Sequence, residues 1–161
     1  MVVIVFGLPG SGKSYFASRL ASMIGAEYIN SDRLRKEMFK VRTYSDQEKE
    51  AVYNEMLAKM KEAVNQNRKV VLDATFHTDH SRKPFVQEME RKGGIYFIEV
   101  QAKENTVRER LKKERPYSEA DYEVYKFISQ RWEPLKDSHL LLESTDENID
   151  NMLQRAADYL K

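Results

Sequence analysis

Residues 7–14, Gly-Leu-Pro-Gly-Ser-Gly-Lys-Ser, constrain this chain more than any other stretch. A short apolar, β-branched run from Met1 to Phe6 precedes them, and apolar residues at helical spacing follow. Strand, glycine loop and helix thus succeed one another in the order that G-x-x-x-x-G-K-[ST], the pattern of a phosphate-binding loop, requires. Gly7, Gly10 and Gly12 admit backbone conformations that a side chain forbids, so consecutive N–H groups can turn inward on an anion. With Pro9, Ser11 and Tyr15 they form the stretch expected to touch a nucleotide. A helix opening near Lys13 adds its positive end at the same point. Lys13 is expected to reach the β- and γ-phosphates of ATP, and the Ser14 hydroxyl to take one position on Mg²⁺.

The rest of the chain alternates. Phe16, Leu20, Met23 and Ile24 recur at helical spacing up to Gly25, a residue suited to a C-cap. Ala26 to Ile29 reads as a second strand, and Asn30-Ser-Asp32 as the start of a polar helix running to Phe39. Ser45 with Glu48 forms a capping box for a longer helix that turns Val52, Met56, Met60 and Val64 to one side. Lys69 to Asp73 is a third strand, followed by a helix over about 81–92 that stops at Gly93-Gly94. Ile95 to Val100 is a fourth. Lys103 to Arg115 is a charge-dense helix whose apolar content is Val107 and Leu111, ended by Pro116. Ser118 with Asp121 boxes a helix reaching Trp132, His139 to Glu143 is a fifth strand, and Ser144 with Glu147 caps a last helix. Most strands are continuous apolar runs, as expected when helices cover both faces of a parallel sheet. The expected architecture is an α/β three-layer fold of the P-loop NTPase kind: a five-stranded parallel sheet, helices on both faces, and a small helical lid. It forms one domain over 1–161, with the lid at approximately 103–121.

Charge narrows the function classes. With 27 basic against 26 acidic side chains and a net charge of +1, general coating of a polyanion is not indicated. Cysteine is absent, which excludes disulfides and thiolate metal sites. The opening apolar run is too short for a membrane span and lacks a basic leader, so a soluble, cytoplasmic protein without membrane attachment is the expectation.

Ligands of a parallel sheet gather at the carboxyl ends of its strands. That rule brings Lys13 and Ser14, Asp32, and Asp73 to one place. Asp73, at the tip of an apolar strand, is expected to act on Mg²⁺ beside Ser14, with capping of the following turn as its structural alternative. Asp32 is placed to accept the proton of an acceptor hydroxyl. Arg35, one helical turn on, is placed to bind an anionic group of the same substrate; helix capping with a surface arginine is the alternative. Arg82 is a further substrate-side candidate. His77 and His80 are expected to be structural or to edge the substrate. Trp132, Tyr117, Tyr122 and Tyr125 are expected to pack rather than stack on bases.

The segments Gly7 to Ser14, Asn30-Ser-Asp32-Arg-Leu-Arg35 and Val71-Leu-Asp73-Ala-Thr75 together resemble the P-loop kinases that include polynucleotide 5′-hydroxyl kinases and zeta-toxin-like kinases. The likeness runs over nearly the whole chain. It implies that Asp32 is the general base, that Arg35 grips a substrate phosphate, and that a mobile lid after the fourth strand closes arginines over the nucleotide. Arg108, Arg110 and Arg115 are the candidates there, Arg108 toward the cofactor and Arg110 and Arg115 toward catalysis. Few apolar residues and a proline break also describe an element that opens cheaply. The implied activity is an ATP- and Mg²⁺-dependent kinase with a hydroxyl acceptor, best matched to a polynucleotide 5′-end, which leaves a nucleic-acid partner open. A sugar, nucleoside, antibiotic or nucleotide-sugar acceptor and a regulatory ATPase are the alternatives.

Overall fold

In the computed structural model, residues 1–113 and 119–161 are described. Five strands, β1 (Val2–Phe6), β2 (Glu27–Asn30), β3 (Val70–Ala74), β4 (Ile95–Gln101) and β5 (Leu140–Glu143), form one parallel sheet in the order β2-β3-β1-β4-β5. The helices among the described residues are α1 (Lys13–Ile24), α2 (Ser31–Met38), α3 (Asp46–Asn65), α4 (Asp79–Met89), α5 (Glu104–Leu111), α6 (Tyr122–Gln130) and α7 (Ile149–Tyr159). The expected α/β P-loop fold with its five-stranded parallel sheet is what forms. None of the described helices is long and apolar enough to cross a membrane.

Strand periodicity creates the three layers. Val2, Ile4 and Phe6 point to one side and join Val52, Met56 and Met60 of α3 and Phe85 and Met89 of α4. Val3 and Val5 point to the other, against Phe16, Ala17 and Leu20 of α1 and Met152 and Ala156 of α7. All five residues of β1 are fully buried, and so are all five of β3 apart from a trace at Ala74. Central strands covered on both faces cannot alternate polar with apolar, hence their continuous hydrophobic runs.

Helix ends show where local reading and tertiary contact diverge. Gly25 caps α1 in the left-handed conformation (φ 68°) as expected. Ser45 does cap α3, accepting from the Glu48 N–H at 3.2 Å. The Glu48 side chain does not return to Ser45, however. It accepts from the Thr43 N–H (2.8 Å) and hydroxyl (2.9 Å), so the expected box is only half made. α4 starts before the expected Ser81, because Thr78 and Ser81 form a reciprocal capping box of their own. The N-cap of α6 is Asp121, which accepts from Val124 N–H at 3.0 Å. Ser144 caps nothing: α7 begins after Asn148, and the Ser144 hydroxyl instead reaches the Ser11 carbonyl at 2.5 Å. Tertiary geometry took it from the helix end. The expected Pro116 break, the Ser118 cap, Tyr117 and Arg115 lie outside the described residues.

Trp132 is half-buried against the core, its ring parallel to that of Phe6 at a centroid distance of 5.9 Å. Arg82 is internal. Its guanidinium lies over the rings of Phe6 and Trp132 and donates to the carbonyls of Phe76 (2.8 Å) and Glu133 (2.6 Å) and to Asp79 (3.0 Å). At 2% exposure it ties the turn after β3 to the segment after α6 rather than facing substrate. Arg82→Met should cost about 3 kcal/mol, because the buried Phe76 carbonyl and the half-buried Glu133 carbonyl lose their donor. Urea denaturation of the two proteins measures it, and a loss below about 1 kcal/mol would make the clamp ornamental.

Candidate functional site

The loop from Gly7 to Lys13 is built for close approach. A Cβ on Gly7 would run into the Val100 carbonyl, and one on Gly12 (φ 90°) would stand 2.8 Å from the Ser144 hydroxyl. Gly12 precedes α1 without any side-chain cap, and the first turn of α1 holds no acid. Its leading N–H groups thus face outward with neither a capping oxygen nor a carboxylate to neutralise them. Lys13 and Ser14 follow, and both line a cleft of about 690 Å³. Uncapped amides, a helix dipole and an ammonium group at one spot make an anion site. Pro9 and Ser11 are buried in the loop, while Tyr15 is exposed on the cleft wall with Arg19 stacked on its ring at 3.3 Å.

Parallel register joins the next two motifs. Asn30 of β2 is paired with Asp73 of β3. The Asn30 amide donates to Asp73 Oδ2 at 2.8 Å and reaches the Ser14 hydroxyl at 3.4 Å, and the Tyr28 hydroxyl donates to the same Oδ2 at 2.5 Å. Burial first, then the Asp73 charge, drives the Tyr28 pKa far up, so this hydroxyl stays a donor. The other carboxylate oxygen, Asp73 Oδ1, is buried with no partner. A fully buried charge with one oxygen unused, beside a hydroxyl, has the donor chemistry of a divalent-cation site, and Ser14 and Asp73 fit Mg²⁺. Tyr28 and Asn30 escaped sequence reading. The available signal was their spacing: two residues apart on one strand, they share a face.

Asp32 lies in the first turn of α2, at the open end of β2, and lines the same cleft. Its carboxylate meets Arg35 at 3.3 Å, and Arg35 also meets Glu48 of α3 at 3.2 Å. Desolvation raises the Glu48 pKa, but the Thr43 hydrogen bonds and the Arg35 charge outweigh it, so the carboxyl titrates below its usual range. Arg35 therefore bridges two carboxylates. Tyr44, stacked by Arg35 at 4.9 Å, donates to Glu119 at 2.5 Å, and Arg42 donates to Glu119 at 2.7 and 2.9 Å. The Arg42 hydrogen bond and then Tyr44 hold Glu119 down at about 2.

The arginines after β4 separate. Arg110 lines the cleft on its β5 side, donating to the Gly10 carbonyl (3.2 Å) and the Ser144 hydroxyl (2.8 Å) and meeting Asp146 at 3.2 Å. Arg108 is exposed, lying 4.7 Å over the Tyr122 ring and 3.7 Å from Glu104. Ser144 and Asp146, absent from the sequence-level set, join the site because β5 is the sheet neighbour of β4.

The turn after β3 is strained. Phe76, an aromatic residue at φ 44°, is held there by the Tyr53 hydroxyl on its N–H (3.1 Å) and by Arg82 on its carbonyl. His77 follows, buried, with Nδ1 unpartnered, whereas His80 is exposed. Burial, with the Lys49 charge next, lowers the His77 pKa from 6.5 to about 4. The unfolded chain thus takes up a proton that the native imidazole refuses. Stability contributed above pH 6.5 is lost as pH falls toward 4. His77→Gln should flatten that loss by about 2 kcal/mol in urea titrations at neutral and acid pH; parallel curves would refute it.

A family model described as "AAA domain" matches residues 2–135. No curated protein matches the chain. Similar solved structures include a sugar kinase from Janibacter sp. HTCC2649, with TM-score 0.75 and 16% identity over 99% of this chain and 93% of that one. The Mycobacterium tuberculosis APS kinase CysC, in complex with AMPPNP and APS, has TM-score 0.72 and 17% identity over 99% and 96%. Chaetomium thermophilum Kti12, in complex with ADP-AlF3, has TM-score 0.65 and 19% identity over 100% of each chain. At such identities the likeness establishes a shared fold.

Proposed function

The chain belongs to the AAA domain family, and on that premise we propose that it is an ATP- and Mg²⁺-dependent kinase that phosphorylates a hydroxyl of a small molecule. One observation carries the reading: an acid, Asp32, held by an arginine, opens on the same cleft as Lys13 and Ser14. A nucleotide switch that transfers phosphate only to water has no need of such an acceptor side. The similar structures that are named as kinases of a sugar and of APS support the same choice.

The roles divide as follows. The loop amides and Lys13 bind and neutralise the phosphates, and Ser14 and Asp73 would hold Mg²⁺, which supplies further neutralisation of the transferred group when bound. Asp32 takes the acceptor proton as the acceptor oxygen bonds to phosphorus and the bond to the β-phosphate oxygen breaks. Arg35 holds Asp32 in place as a carboxylate. Arg110, with Ser144 and Asp146, belongs to the side where the nucleotide leaves the loop. The segment around α5 would act as the lid, with Val107 and Leu111 resting near Gly10.

A polynucleotide 5′-hydroxyl is the second reading. Its support is the basic run Arg33, Arg35, Lys36, Lys40 and Arg42 near Asp32. Against it, Arg35, the residue that would grip a backbone phosphate, is already balanced by Asp32 and Glu48. The deciding experiment measures label transfer from γ-labelled Mg·ATP to glycerol, glycerate, glycerol phosphate and a 5′-hydroxyl oligonucleotide in parallel. Labelled small alcohols support the proposal, a labelled oligonucleotide selects the second reading, and ADP formation with no labelled acceptor would overturn both.

A further inference from the structure

On the acceptor side, Lys49 differs from the arginines around it. Arg35 is spent on Asp32 and Glu48, and Arg42 on Glu119. Lys49, the residue after Glu48 on α3, is half-buried and makes no hydrogen bond or ion pair among the described residues; its ammonium lies over the face of Tyr53, 6.0 Å from the ring centre. Burial lowers its pKa against the opposing pull of Asp46. An ammonium kept partly out of water with no carboxylate in contact is costly, and such a group persists where a ligand supplies the missing charge.

A second observation falls at the same place. Tyr53 carries Lys49 on its ring and, through its hydroxyl, fixes the Phe76 N–H. The next residue, His77, is 7% exposed and has an Nδ1 with no partner. Among side-chain charges, Lys49 acts on that imidazole most strongly; Glu133 opposes it, and Arg82 and then Arg131 add to it. Thr75 completes the turn, 3.4 Å from the Tyr53 hydroxyl. An ammonium without an ion pair and an unpartnered imidazole nitrogen thus neighbour Tyr53 and the turn it holds, and Tyr53 also lies within the fields of Arg35 and Asp32.

We propose that Lys49 and His77 form an anion subsite that selects an acceptor alcohol bearing a carboxylate or phosphate ester, with Lys49 as the specificity-determining residue. The proposal rests on the kinase reading above for its biological use, but the subsite binds its anion whether or not transfer occurs. A neutral His77 donates one N–H to the anion, and Lys49 supplies the charge. The acceptor is thus a small acid rather than a neutral sugar.

Inorganic phosphate and, separately, malonate are titrated by calorimetry into the full chain carrying Lys13→Ala, which weakens the anion site of the loop. The His77 ring resonance is followed in parallel. The expected result is one saturable anion that shifts the His77 signal. Lys49→Met in the same background should weaken it by about tenfold or more, and Lys49→Arg should restore most of the loss. Preference between the two probes identifies phosphate ester or carboxylate. Equal binding by the Lys49→Met protein, or an unmoved His77 resonance, would overturn the subsite. So would displacement of phosphate by a 5′-hydroxyl oligonucleotide with steep salt dependence, which points to a nucleic-acid backbone instead. AMPPNP binding to the chain with Lys13 intact is measured separately. Nucleotide binding without the second anion would leave the kinase reading standing and this inference refuted; the reverse result would do the opposite.

Discussion

Replacing Lys13 with alanine is expected to lower kcat/KM for phosphoryl transfer by about a thousandfold while leaving the melting temperature near that of the parent chain. The ammonium lies at the head of α1, where the first-turn amides carry no cap, and it lines the cleft without entering either hydrophobic core. Its removal takes a full charge from the transition state and no packing from the fold. The cost of an interaction made by charge alone in a shielded site is of this order. Steady-state assays with Mg·ATP beside a thermal melt measure both quantities. Turnover within tenfold of the parent would mean that nucleotide phosphates do not sit on this loop.

Asp32→Asn should lower kcat by about two to four orders of magnitude with little change in the KM for ATP. The amide oxygen can still accept from Arg35, so the geometry survives while the proton acceptor is lost. Asp32 belongs to the first turn of α2 and not to the loop of residues 7–14 itself, which is why nucleotide affinity should be spared. A parallel loss in ATP affinity would reassign Asp32 to the nucleotide. A change in kcat smaller than about tenfold would give it the helix-capping neighbourhood as its only role.

Residues 7–14 were legible in the sequence because a phosphate loop is local. Its glycines, lysine and serine act within one turn of chain, and the flanking apolar run and helical spacing need no distant partner to be recognised. The strand pattern was legible for a related reason: burial on both faces leaves continuous β-branched runs. Asp32 and Asp73 could be placed at one end of the sheet by the rule for parallel strands alone. Their partners could not. Asn30 meets Asp73 because β2 and β3 pair in one register, and no local pattern encodes a contact 43 residues apart.

Capping reads ambiguously for the same reason. Serine and glutamate at box spacing satisfy helix ends only when nothing else competes for them. Glu48 is taken by Thr43 and Arg35, and Ser144 by the loop carbonyl of Ser11 and by Arg110. Arg82, read as a substrate-side candidate, became an internal clamp because the segment after α6 folds over it.

The chain alone therefore determined the loop, the order of strands and helices, and the residue types brought to the carboxyl edge of the sheet, since each follows from periodicity or from contacts within a few residues. Which charges remain unbalanced at that edge was decided only by tertiary structure. Arg35 is neutralised and Lys49 is not, because charge compensation is a sum over neighbours in space, and folding chooses the neighbours.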